Sequence, residues 1–280
     1  TYSDSVTFYD GMMRTVQTQS PDATGLGRIV SSVRYDDHGS PARTDNGYYT
    51  TGLPAKTWHL PTSQQPIPNS TKTTYDGLGR PLKSVTLHHN AEFASTTATY
   101  NDSDASVLVV PPAGGTATKT LGDALGRAVK QITYTNAART ASTYTDTTYD
   151  TLGNRTQVKD KSGHIWSWTY DSRHRVLTST DPDSGTSRTW YDDQDRVTQT
   201  KDATGKVLHY GYDPLGRQSS LTVGSATLPT AEWTYDTATN GIGRPATSVR
   251  HTTPGSAAGD IVTEATGYTP KGQLTGKTVT

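Results

Sequence analysis

Clustered carboxylates are the first candidates for chemistry in this sequence. Asp181-Pro182-Asp183-Ser184-Gly185 and the trio Asp192, Asp193 and Asp195 could offer oxygen ligands to a calcium ion. However, residues 170–206 contain no Glu to close a bidentate loop. The same acids also stand where a turn wants a side-chain acceptor. His88 and His89 are adjacent, so a strand would send them to opposite faces and away from a shared zinc. No Gly-x-Ser-x-Gly nucleophile turn and no Gly-rich phosphate loop is present. Trp166, Trp168, Trp190 and Trp233, with Asp and Arg nearby, are candidate glycan contacts. Aromatic residues at repeat spacing also suit a stacking core. The reading is therefore of no catalytic, metal or cofactor site, and of a chain that is not an enzyme.

Composition narrows the class. The chain has 26 basic and 26 acidic residues, a formal net charge of zero and no Cys. A neutral chain lacks the basic surface that nucleic acid requires. Without Cys there is no disulfide framework. No apolar run approaches the roughly 18 residues of a membrane helix, and residues 1–10 have no apolar core of a signal peptide. Only 31% of residues are hydrophobic, and 16 Tyr and 5 Trp far outnumber 2 Phe. A Thr- and Tyr-rich, aliphatic-poor chain suits pleated strands.

An internal repeat dominates the sequence. Tyr149, Tyr170, Tyr191 and Tyr212 are 21 residues apart, each followed by Asp: Asp150, Asp171, Asp192 and Asp213. Asp160, Asp181 and Asp202 keep the same step. The unit reads Tyr-Asp-x-x-Gly-Arg, as in Tyr75-Asp76-Gly77-Leu78-Gly79-Arg80 and Tyr212-Asp213-Pro214-Leu215-Gly216-Arg217. Gly153 fills the fifth place in one copy, and His174 and Asp195 fill it in two others. Arg175 and Arg196 close those two. Weaker copies begin at Tyr9, Tyr35, Gly122, Tyr235 and Tyr268. The copies are regular over 148–223. Irregular repeats or insertions fill 36–74, 86–119 and 236–267.

The spacing predicts a turn. Asp accepts backbone hydrogen bonds, and the fifth residue takes a left-handed conformation that Gly, His and Asp tolerate. Met13 does not fit that place. Each unit is then two strands and two turns, and the fold is all-β, built of tandem antiparallel hairpins. Equivalent tyrosines should line one face as a ladder of rings. The recurring arginines, from Arg14 and Arg80 to Arg127 and Arg217, could pair with the turn aspartates or bind an acidic ligand. Asn69, Asn101 and Asn154 match the glycosylation sequon.

These repeats resemble the YD repeat of the Rhs and YD-shell family, which includes Rhs polymorphic toxins, Tc toxin B and C components, wall-associated proteins and teneurins. The resemblance covers nearly all of 1–280 and implies a spiral β-shell, of which this chain is a segment within a larger protein. It implies a structural role: enclosing a C-terminal toxin or effector polypeptide of a secreted or surface bacterial protein. Its partners would be the remaining repeats and that cargo. The alternative is a cell-surface adhesin or carbohydrate-binding module. Asp213-Pro214-Leu215-Gly216 is similar to part of the family's self-cleavage segment, but it lies on the 21-residue grid and reads as a repeat turn.

Overall fold

The computed structural model describes residues 4–61, 67–253 and 259–280. Among them are twenty-two strands and no helix, so none is long and apolar enough to cross a membrane. The chain divides into two compact units, Thr1–Asp146 and Thr147–Thr280, the division falling within the strand Ser142–Tyr149. Each unit is an antiparallel meander in which a strand pairs with the next in sequence. The first runs from Val6–Tyr9 to Ser142–Tyr149, the second from Arg155–Asp160 to Leu274–Val279. The irregular stretch 86–119 contains a hairpin of its own, Ala91–Asn101 with Ser106–Val110.

One turn is built many times. In Tyr212–Arg217 the Asp213 N–H donates to the Arg217 carbonyl (2.9 Å), and the Gly216 N–H donates to the Asp213 carbonyl (2.9 Å). The Asp213 carboxylate accepts the N–H groups of Leu215 and Arg217 at 2.9 and 2.8 Å. Asp10, Asp76, Asp123, Asp150, Asp171 and Asp192 make the same set. The fifth residue is left-handed in each: φ is 89° at Gly153, 63° at His174, 64° at Asp195 and 81° at Gly216. Met13 adopts φ 61° as well, so the turn imposes this conformation even on a side chain that disfavours it. A bulge accompanies the turn. The register slips before Tyr170, Tyr191 and Tyr212, which then face Val176, Val197 and Gln218.

Burial differs between the units. In the first, Val30, Tyr48 and Ile67 form a small apolar cluster beside the fully buried Gln17, Gln19, Asp45 and Ser70. The segment Gly52–Pro61 lies over this patch. Gln17 and Gln19 bond its backbone, and Trp58 meets Phe8 edge-on at 5.7 Å. In the second, every residue of Val176–Asp181 and Gln218–Val223 is half-buried, whichever face it points to. That pattern is a wall with two partly solvated faces rather than a sheet packed on a core.

Gly216→Ala tests the turn. The nearest atom to an added Cβ is 3.7 Å away, so the cost is backbone strain alone. A loss of about 1 kcal/mol in denaturant unfolding is expected. Leu215→Ala, at an exposed tip in the same turn, should be close to neutral.

Candidate functional site

The repeat residues assemble into a lateral chain on one face of each unit. Within a turn, the Arg side chain folds back on the Asp four residues earlier: Arg175 on Asp171, Arg196 on Asp192 and Arg217 on Asp213, each at 2.7 Å. Arg14–Asp10, Arg80–Asp76 and Arg127–Asp123 repeat this. Asn154 replaces Arg in one copy and donates its amide to Asp150 at 2.8 Å. The flattened guanidinium then lies over the tyrosine of the following hairpin. Arg175 covers Tyr191 at 4.6 Å, Arg196 covers Tyr212 at 4.7 Å and Arg217 covers Tyr235 at 4.2 Å.

The expected ladder of stacked tyrosines is therefore replaced by alternating rings and guanidinium planes. Tyr170, Tyr191, Tyr212 and Tyr235 make no ring–ring contact with one another. The reason is spacing. Repeat tyrosines recur on every second strand, about 10 Å apart. Ring pairs need centroids within about 7 Å. One guanidinium fills the gap.

Each tyrosine makes a second lateral link through its hydroxyl. Tyr170 donates to the Arg155 carbonyl, Tyr191 to Val176, Tyr212 to Val197 and Tyr235 to Gln218, at 2.7–3.1 Å. Tyr35 and Tyr75 do the same to Thr15 and Pro41. The acceptor is always the residue just after the preceding turn. Charge continues the chain: Arg80 reaches Asp102, Arg175 reaches Asp195, and Arg217 grips Asp236 with two bonds of 2.9 and 2.7 Å. The arginine stripe is thus consumed by internal pairing.

Electrostatics follow from these contacts. The hydrogen bond from the Arg80 backbone, followed by its side chain, holds Asp76 below its usual range against desolvation. The Arg217 side chain, and then the Gly243 N–H, draws Asp236 down to about 2. Asp213 accepts the same turn bonds as the other copies, so the Asp-Pro-Leu-Gly segment is a repeat turn.

The four nominated tryptophans are not brought together. Trp166 and Trp168 stand on the face of Tyr170, and Trp233 on that of Tyr235. Trp190 immediately precedes Tyr191 and points to the other face. All four are half-buried. Trp166 donates to Asp181 at 2.9 Å, Trp168 lies under Arg155 and Trp190 under Arg188. Three of the candidate calcium carboxylates have partners: Asp181 accepts the N–H groups of Asp183 and Ser184, Asp192 binds Arg196, and Asp195 binds Arg173 and Arg175. Among the described residues no group of three or more His, Asp or Glu could hold a metal ion. The opposite face carries hydroxyl pairs, Thr169–Thr178, Thr180–Thr186 and Thr234–Thr247. These pairs give the Thr-rich composition a structural place.

Two groups escape sequence reasoning. Gln17 and Gln19 have no periodic signal that marks them as buried. His251 joins Glu232 (3.0 Å) and Asp260 (2.8 Å), three residues off the 21-residue grid. Its pKa is raised, first by the bond to Glu232.

Two outcomes are expected. Tyr212→Phe removes one lateral hydrogen bond and should cost about 1 kcal/mol by denaturant unfolding. In acid, Asp236 has a folded pKa of about 2, below its usual 3.8, so its stabilisation is present above that value and lost as pH falls toward 2. An acid titration of stability should therefore be shallower in Asp236→Asn within that window.

Comparison with known proteins follows from this geometry. Residues 117–239 match the family model described as Teneurin YD-shell. The crystal structure of TcdB2-TccC3 aligns over 98% of this chain at 16% identity, TM-score 0.68. The same complex without its hypervariable C-terminal region aligns over 96% at 17% identity, TM-score 0.69. The Photorhabdus luminescens Tc holotoxin pore aligns over 98% at 16% identity, TM-score 0.68. At that identity the likeness is one of fold. This chain spans 15% of the length of each of those chains. Comparison with curated proteins finds no match. Residues 117–239 are thus similar to the Teneurin YD-shell family, and the chain carries an all-β, tandem-hairpin fold like that of TcdB2-TccC3.

Proposed function

We propose that this chain is a stretch of the wall of a YD-repeat shell that encloses a C-terminal toxin or effector polypeptide of the same, secreted or surface-exposed bacterial protein. The observation that carries the proposal is the two-faced sheet of the second unit. Its strands are cross-linked laterally by Arg, Tyr and Asp, and both faces remain half-exposed. Such a sheet has no core of its own to pack, and it has a surface on each side to offer. The likeness to TcdB2-TccC3, which is solved with and without a hypervariable C-terminal region, supports the cargo part of this reading.

The mechanism is steric. Lateral links hold neighbouring hairpins together, so an enclosed chain neither diffuses out nor meets its target until the wall opens. This work needs no catalytic side chain, cofactor or metal. The adhesin reading rests on the tryptophans and on the excursions 36–74 and 86–119 as contact loops; Trp166, Trp168 and Trp233 share the tyrosine face and Trp190 lies on the other.

Limited proteolysis of the full-length polypeptide tests the proposal. The segment following the repeats should survive protease in the native protein and be cut rapidly after denaturation. Combined Arg175→Ala, Arg196→Ala and Arg217→Ala should restore cleavage. Equal cleavage in native and denatured protein would contradict enclosure.

A further inference from the structure

The first unit shows how this kind of wall holds a covering segment of chain. The segment Leu53–His59 is bound at every second residue. Arg28 donates to the Leu53 carbonyl at 2.8 Å. The Ala55 N–H donates to the Gln19 side-chain oxygen at 3.0 Å, and the Gln19 amide donates to the Thr57 carbonyl at 3.0 Å. Gln17 both receives the His59 N–H and donates to the His59 carbonyl, each at 2.9 Å. The segment bends at Lys56 and Thr57, and these contacts engage its backbone without reading a side chain. The apolar complement is Trp58, whose ring meets Phe8 at 5.7 Å and 72°. Phe8 is the cross-strand partner of Gln17. The binding unit is thus an aromatic ring and a glutamine amide, paired across two strands on the face opposite the repeat tyrosines.

The same unit recurs in the second half of the chain. Phe8 immediately precedes the repeat tyrosine Tyr9, and Trp190 immediately precedes Tyr191. Gln17 lies three residues past Arg14, and Gln199 lies three past Arg196. Trp190 and Gln199 are cross-strand partners, as Phe8 and Gln17 are. Both are half-buried, and among the described residues Gln199 makes no side-chain hydrogen bond. Where Gln19 stands, the second unit has the exposed Lys201, a donor suited to a carbonyl.

We propose that Trp190 and Gln199 form a docking site for a polypeptide segment, with its backbone against the Gln199 amide and an aromatic side chain against the edge of Trp190, whose face Arg188 covers. The inference rests on the shell reading and deepens it: it assigns the face opposite the repeat tyrosines to the cargo. Trp190 is then a peptide contact rather than a glycan contact. Backbone capture suits a wall that must hold whatever sequence follows it, since amides bind all residues alike.

The test is photo-crosslinking within the full-length polypeptide. A benzoylphenylalanine replaces His209, the exposed cross-strand partner of Gln199 on the same face. In a control it replaces Ser187, exposed on the tyrosine face. Cross-links from position 209 to the segment that follows the repeats are expected, with few from position 187. Gln199→Leu should reduce those from 209 about fivefold, and Trp190→Ala, as a second variant, should do likewise. Cross-links from 187 alone, none from either position, or yields undiminished by both substitutions would overturn the assignment. Protease protection of the same segment judges the shell reading separately, so a failed docking site with protected cargo leaves the wall in place.

Discussion

The fold depends on an arginine side chain, present in most repeat turns, placed across a gap that no ring can bridge. Neighbouring repeat tyrosines on one face are separated by about two strand spacings, near 10 Å. The turn carboxylate fixes the guanidinium with an ion pair of 2.7 Å, and the guanidinium then lies 4.2–4.7 Å over the next ring. The tyrosine returns the contact through its hydroxyl to the backbone after the preceding turn. Each such ion pair, taken alone on a surface, is worth little. Here the Asp is already committed to two backbone N–H groups, so the Arg meets a partner held in place. Order in the turn becomes cohesion between hairpins.

This arrangement explains how a chain with so few aliphatic residues folds. The usual driving term, burial of a large apolar core, is small: the described residues include only six buried hydrophobic side chains. Backbone pairing along the meander and ring–guanidinium contacts take a larger share. A repeat array of this kind gains stability from nearest-neighbour interfaces, so each added hairpin strengthens its neighbours. The same economy leaves both faces of the second unit partly accessible.

Much of this was legible in the sequence, because period and turn chemistry are local. Four tyrosines at a 21-residue step located the hairpins, and His174 and Asp195 in the glycine place pointed to a left-handed turn. The tyrosine ladder was misread because its spacing depends on distances between strands, which a residue pattern does not carry. Gln17, Gln19 and the segment over them were missed because a buried glutamine looks like a surface residue until its backbone partners are known. The Glu232–His251–Asp260 link lies off the grid and leaves no trace in the repeat. In the sequence Trp190 stands out by its ring alone; its face and its partner Gln199 follow from register.

The central claim is that the guanidinium–ring contact couples adjacent hairpins energetically. A double-mutant cycle on Arg196 and Tyr212, using Arg196→Ala and Tyr212→Ala with denaturant unfolding, measures it directly. A coupling of about 0.5–2 kcal/mol is expected. Additive effects of the two substitutions would contradict it, and would place the cohesion of the wall in backbone pairing alone.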